Sequence, residues 1–245
     1  GKLTTYGSID TRGKNYQIDL SGVATNIPLQ SLPFVKRAPL SGIANGRFTT
    51  TGKTTNPAVS ADIKVSQGHF RGIAFSKASG SLHMSAGQVT IRNFTASSTG
   101  GVVRASGVVT ATKLDLQIAA LGVDAKRLLT RFGFKDYAGT AYFNGHVNGP
   151  VDNPTVAGNV EIFNGRVGPV QFEYARGHIA GNKQAIALSE TTVRRYPTEA
   201  TISGRILHIT GDQPEIDLQL DVKQADLKEL AKSLNIPDIA TGTIS

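Results

Sequence analysis

The chain repeats itself, and a repeat restricts the possible folds more than any bulk property. The stretch from Leu40 to Leu82 returns from Tyr137 to Ile179, displaced by 97 positions without a gap. The displacement lays Gly42 on Gly139, Gly52 on Gly149, Asn56-Pro57 on Asn153-Pro154, Gly68 on Gly165, Phe75 on Phe172 and Gly80 on Gly177. Coincidence is best at residues that turn the backbone, because strand side chains need only be apolar or polar on the right face. The offset holds to Gly107 against Gly204 and then slips to 102, where Asp115-Leu116-Gln117-Ile118 meets Asp217-Leu218-Gln219-Leu220. Ile18-Asp19-Leu20 begins a partial copy at the front and Gly242 starts another at the end. The expected organisation is one continuous fragment of a repeat array: residues 1–41 end one repeat, 42–138 and 139–241 are full repeats, and 242–245 open the next.

Within a repeat the apolar residues alternate. Val59, Ile63, Val65, then Phe75, Leu82, Val89 and Ile91 have this period in the first copy. Val156, Val160, Ile162, then Val170, Phe172, Ile179, Ile186, Leu188, Ile202 and Ile206 have it in the second. Period two means strands with one dry and one wet side. Gly-rich turns every eight to twelve residues make the natural connection a hairpin, hence an antiparallel meander. One short helix per repeat interrupts it: Asp124 and Asp226 are N-cap residues ahead of leucines at helical spacing, ended by Gly133 and Asn235, with Ser31-Leu32-Pro33 as a poorer front copy. A helix this short is marginal alone and must brace a sheet edge.

Chemistry is sparse. The five histidines lack metal-ligand spacing, cysteine is absent, and no nucleophile elbow, P-loop or dinucleotide fingerprint occurs. Neither an enzyme nor a cofactor or metal site is expected. The net charge of +8 is spread over single and paired basic residues with no aromatic stacking motif between them, so nucleic acid is not an expected partner. A solvated basic face and attraction to anionic headgroups remain open. No run approaches the roughly 18 apolar residues of a bilayer span.

A one-sided meander must hide its dry face, by closing as a sandwich or solenoid or by curling around a guest. Gly107, Gly145, Gly158 and Gly204 fall in phase with the apolar set, and small residues there are expected to leave space rather than fill it. An open gutter needs an apolar occupant, and acyl chains fit. The seventeen alternating residues named above, Val59 to Ile91 and Val156 to Ile206, are the expected lining.

The order G-x-x-x-x-G, then N-P-x-V, then N-G-R-V, then alternating strands, then D-L-x-L, A-D-L-K-E-L and I-P-D-I-A-T-G resembles the TamB family of the AsmA-like bacterial envelope proteins. The clearest stretches are Gly139 to Val167 and Asp217 to Gly242. The resemblance implies an all-β, elongated antiparallel repeat sheet curled into a U-shaped gutter with an apolar interior and one short helix per repeat. It implies the periplasmic portion of a protein anchored in the inner membrane of a diderm bacterium, a hydrophobic conduit moving phospholipid between inner and outer membranes. Its partners would be glycerophospholipid acyl chains and an outer-membrane β-barrel engaged by regions outside residues 1–245, with membrane contact made by the full-length protein only. Two other readings stay open: a scaffold or chaperone whose exposed edges pair with nascent barrel strands, and a structural rod with a filled core.

Overall fold

The computed structural model describes residues 1–13, 16–31, 40–70, 72–131, 136–168, 170–208, 215–226 and 243–244. These form an all-β chain in which every strand is antiparallel to its neighbours and order along the sheet equals order in sequence. The strands are β1 Lys2–Asp10, β2 Gln17–Pro28, β3 Leu40–Lys53, β4 Ala58–Phe70, β5 Ile73–Ser85, β6 Gln88–Ser98, β7 Gly101–Val109, β8 Lys113–Asp124, β9 Tyr137–Pro150, β10 Thr155–Val167, β11 Val170–Gly181, β12 Ala185–Arg195, β13 Thr198–Leu207, β14 Glu215–Asp226 and β15 Thr243–Ile244. The pairing makes an open sheet, with β1 at one edge and β15 at the other. The chain divides into two compact units, Gly1–Ile118 and Ala119–Ser245, and the division falls inside β8.

Strand limits recur at the sequence offset. Adding 97 to the bounds of β3, β4 and β6 gives those of β9, β10 and β12, and adding 102 to those of β8 gives β14. Backbone exceptions recur too. Gln67 (φ 51) and Asn164 (φ 50) share a position, as do Asn93 (φ 52) and Glu190 (φ 47), and Gly107 and Gly204 (both φ 137). A left-handed residue inside a strand inserts a bulge. Register shifts accordingly fall at corresponding places, between Ser41/Ile43 on β3–β4 and Phe163/Arg166 on β9–β10, and between Ser79/Ser81 on β5–β6 and Arg176/His178 on β11–β12.

The helical segments are short. After β8 comes α1, Ala125–Arg131, with Asp124 Oδ1 accepting from the Arg127 amide at 3.2 Å and Ala125 buried. That is the predicted N-cap. Its predicted stop at Gly133 and the second helix after Asp226 lie outside the described residues. The front copy is a 3-10 turn, Leu29–Ser31, whose Leu29 packs on Ala44 with Leu40 and Val65; Leu32 and Pro33 lie outside the described residues.

Candidate functional site

Pairing partners in a sheet share a face, so the register itself builds the site. In the first unit four rows cross β3 to β7: Thr50–Val59–Met84–Val89–Val109, Phe48–Ala61–Leu82–Ile91–Gly107, Gly46–Ile63–Gly80 continuing to Phe94–Ala105, and Ala44–Val65–Ala78–Ala96–Val103. In the second unit four rows cross β9 to β14: Val147–Val156–Gly181–Ile186–Ile206–Ile216, Gly145–Gly158–Ile179–Leu188–Gly204–Leu218, Phe143–Val160–Gly177 continuing to Thr191–Ile202–Leu220, and Ala141–Ile162–Ala175–Val193–Ala200–Val222. No charged side chain occupies any of these rows. Intervening positions carry the polar set, as in Arg47–Asp62–Ser81–Arg92 and Tyr142–Glu161–Arg176–Thr192.

All the expected lining residues fall on these rows except Phe75, Val170 and Phe172. Those three follow the bulges at Gln67 and Asn164 and sit out of phase, an odd position beside Ala78 and Leu82 and even positions beside Ala175 and Ile179. Phe75 and Phe172 each lay a ring over the bulge glycine opposite, Gly68 and Gly165. Phe172 also borders a shallow depression with Arg166, Glu173 and Arg195. Conversely, Phe94 and Thr191 join the apolar rows because the bulges at Asn93 and Glu190 stretch the spacing from two to three, Ile91 to Phe94 and Leu188 to Thr191. Strict alternation loses them there, and a lone Asn or Glu within an apolar alternation is the signal that could have found them.

The in-phase glycines open no space. A Cβ on Gly145 or Gly158 would overlap the Phe143 ring, and one on Gly22 would overlap the Phe48 ring. A Cβ on Gly107 or Gly204 would collide with the carbonyl of Asp115 or Asp217 on the next strand. Glycine here lets rings lie flat on the sheet and strands approach closely, which corrects the expectation of voids.

Among the described residues the rows are covered only in part. Among the described residues the buried hydrophobic side chains are Leu29, Ala44, Ala78, Ala125 and Ala175, and none is below 2% exposure with a large volume. The expected lining residues are all half-buried. The chain exposes 16053 Å². A compact monomer of 25.8 kDa exposes about 10,500 Å², and two compact halves together about 12,600 Å². On the rows the surplus shows as lining residues that are half-buried rather than buried.

Charges elsewhere are set by ordinary surface pairs. Arg12 hydrogen-bonds Asp10 and lowers its pKa, and Arg194 does the same to Glu199, with Lys223 adding attraction. No group of three His, Asp or Glu that could hold a metal occurs among the described residues. No helix among them is long and apolar enough to cross a membrane. No family model, curated protein or solved structure matches this chain.

Proposed function

We propose that the chain is a stretch of hydrophobic conduit whose apolar face carries phospholipid acyl chains. The observation that supports the reading is the charge-free floor in each unit, four residues deep across β3 to β7 and across β9 to β14 and only partly covered by the chain itself. A contiguous charge-free apolar patch at an accessible surface marks an interaction site, so an apolar guest is called for. Acyl chains are flexible cylinders that slide along a floor of Val, Ile, Leu and flat rings without specific bonds, while headgroups stay in water. In this proposal the sheet curls into a U around the chains, the short helices brace one border of the floor, and the protein belongs to the TamB-like envelope proteins that bridge the periplasm between inner and outer membranes. The movement needs no catalytic group.

The test is mass spectrometry of organic extracts from the natively purified chain. Glycerophospholipid at about one or more molecules per chain is expected, with Ile63→Asp and Ile162→Asp each depleting it, because a charge on the floor costs several kcal/mol to cover with hydrocarbon. Lipid-free protein, or unchanged lipid in both variants, contradicts the proposal. Edge-positioned crosslinks to outer-membrane proteins without lipid would favour the chaperone reading instead.

A further inference from the structure

One unit carries the whole net charge. Residues 1–118 hold thirteen Lys and Arg against four Asp and Glu, net +9, while residues 119–245 hold thirteen against fourteen, net −1. On the polar face of β3 to β7, opposite the apolar floor, the register gathers Arg47, Lys64, Lys77, Arg92 and Arg104. All five are exposed, and none makes an ion pair among the described residues. The one acid on the rows between them, Asp62, accepts a hydrogen bond from the Ser81 hydroxyl. Arg47 and Arg92 flank a shallow depression between these two side chains. Lys64 and Arg104 share the next row, through Ser79 and Thr95, and Lys77 sits on the one after. At about 4.8 Å between strands and about 6.8 Å between rows, the array covers on the order of 20 Å by 14 Å.

The repeat supplies an internal control. The positions 97 residues later are Asn144, Glu161, Tyr174, Ser189 and Thr201, none of them basic. The polar-face arginines of the second unit are Arg176, Arg194 and Arg205, and each is paired, with Glu161, Glu199 and Asp217 respectively. The sheet therefore folds equally well without the basic array, and like charges crowded on one face oppose folding rather than help it.

We infer that the polar face of β3–β7 docks on an anionic phospholipid surface. The charges are dispersed evenly over a broad face rather than converging on one point, which suits many mobile phosphates more than a single ligand. Ser and Thr fill the rows between them and donate hydroxyls to phosphate oxygens. The rings beside the array are engaged within the sheet, Phe75 lying over Gly68 and His83 hydrogen-bonding the Ser60 hydroxyl, so neither is offered to stack a base, which disfavours nucleic acid. The surface lies opposite the proposed acyl-chain floor and does not depend on that reading.

The experiment is co-sedimentation of the 245-residue chain with vesicles of phosphatidylcholine containing about 30% phosphatidylglycerol, against phosphatidylcholine alone, from about 50 mM to about 500 mM salt. Binding is expected on the anionic vesicles only and is lost at the highest salt. Neutralising three charges together, Arg47→Gln with Lys64→Gln and Arg92→Gln, weakens it on the order of 100-fold, about fivefold per charge. Arg176→Gln with Arg194→Gln and Arg205→Gln in the other unit changes it less than about threefold. Circular dichroism reports whether each variant folds, and the salt response of the unaltered chain decides the matter if one does not. Equal binding to both vesicles or indifference to salt overturns the inference and assigns the contact to the apolar floor. Full binding by the folded first triple variant overturns it as well. Capture of polyglutamate or duplex DNA with no vesicle binding reassigns the array to another polyanion and equally overturns it.

Discussion

In Gly1–Ile118 Phe48 lies on the apolar floor two residues after Gly46; in Ala119–Ser245 the corresponding pair is Phe143 followed by Gly145. The order of ring and glycine is exchanged, yet each ring lies flat over glycine, Phe48 over Gly22 and Phe143 over Gly145 and Gly158. The polar faces have diverged further. Where the second unit sets Tyr142, Phe163 and Tyr174 in contact, with ring centroids 5.7 and 5.0 Å apart, the first has Asn45, Ser66 and Lys77. The contrast separates what the sheet demands from what it merely carries. Bulges, close-approach glycines and a charge-free floor recur, whereas charge and aromatic content on the wet side are free to change.

If the units are equivalent in architecture, Gly107→Val and Gly204→Val must fail alike. Both positions have φ 137 and a carbonyl where a Cβ would sit, so each substitution should cost about 3 kcal/mol or more in denaturant unfolding. A large loss at one and under about 1 kcal/mol at the other breaks the equivalence. Phe48→Ala and Phe143→Ala should each cost about 1–3 kcal/mol, less than the 3–5 usual for a core Phe, because the half-buried rings have one open side. A full core penalty for either would mean that the floor is covered by protein.

Smaller effects sharpen the comparison at the braces and the surface pairs. Asp124→Ala removes the bond to the Arg127 amide and should lower stability by about 1 kcal/mol, read from the urea midpoint. Glu199 is the mildest case. Its pKa is lowered from 4.5, chiefly by the Arg194 hydrogen bond, so the group binds fewer protons in the folded than in the unfolded chain. The stabilisation is present above the ordinary value and lost as pH falls through the lowered one. The melting difference between the chain and Glu199→Gln should be small at pH 7 and shrink as the solution is acidified below the usual carboxylate range. A difference that grows with acid contradicts the pairing.

Much of this was legible in the sequence because turn chemistry is local. Gly, Asn and Pro at a fixed offset place the hairpins, and alternation between them marks the strands, so the antiparallel order and the α1 cap at Asp124 follow without long-range information. Phase was legible only as far as the next bulge. Past Gln67 and Asn164 the count runs out of step, which misplaced Phe75, Val170 and Phe172; past Asn93 and Glu190 it drops Phe94 and Thr191. The glycines were read as spacers because a sequence does not tell whether a neighbouring ring will lie down over them. A bare floor and a filled sandwich share one periodicity, so alternation alone does not distinguish them.

The central claim is that the floor is open and takes hydrocarbon while the neighbouring positions face water. Photo-reactive residues placed singly at Ile63 and Lys64, and at Ile162 and Glu161, test it by crosslinking in membranes from cells that make the protein. The account predicts phospholipid adducts at Ile63 and Ile162 through the acyl chains and none through acyl chains at Lys64 or Glu161. Adducts within the chain itself at Ile63 and Ile162, or lipid labelling without regard to face, would contradict it.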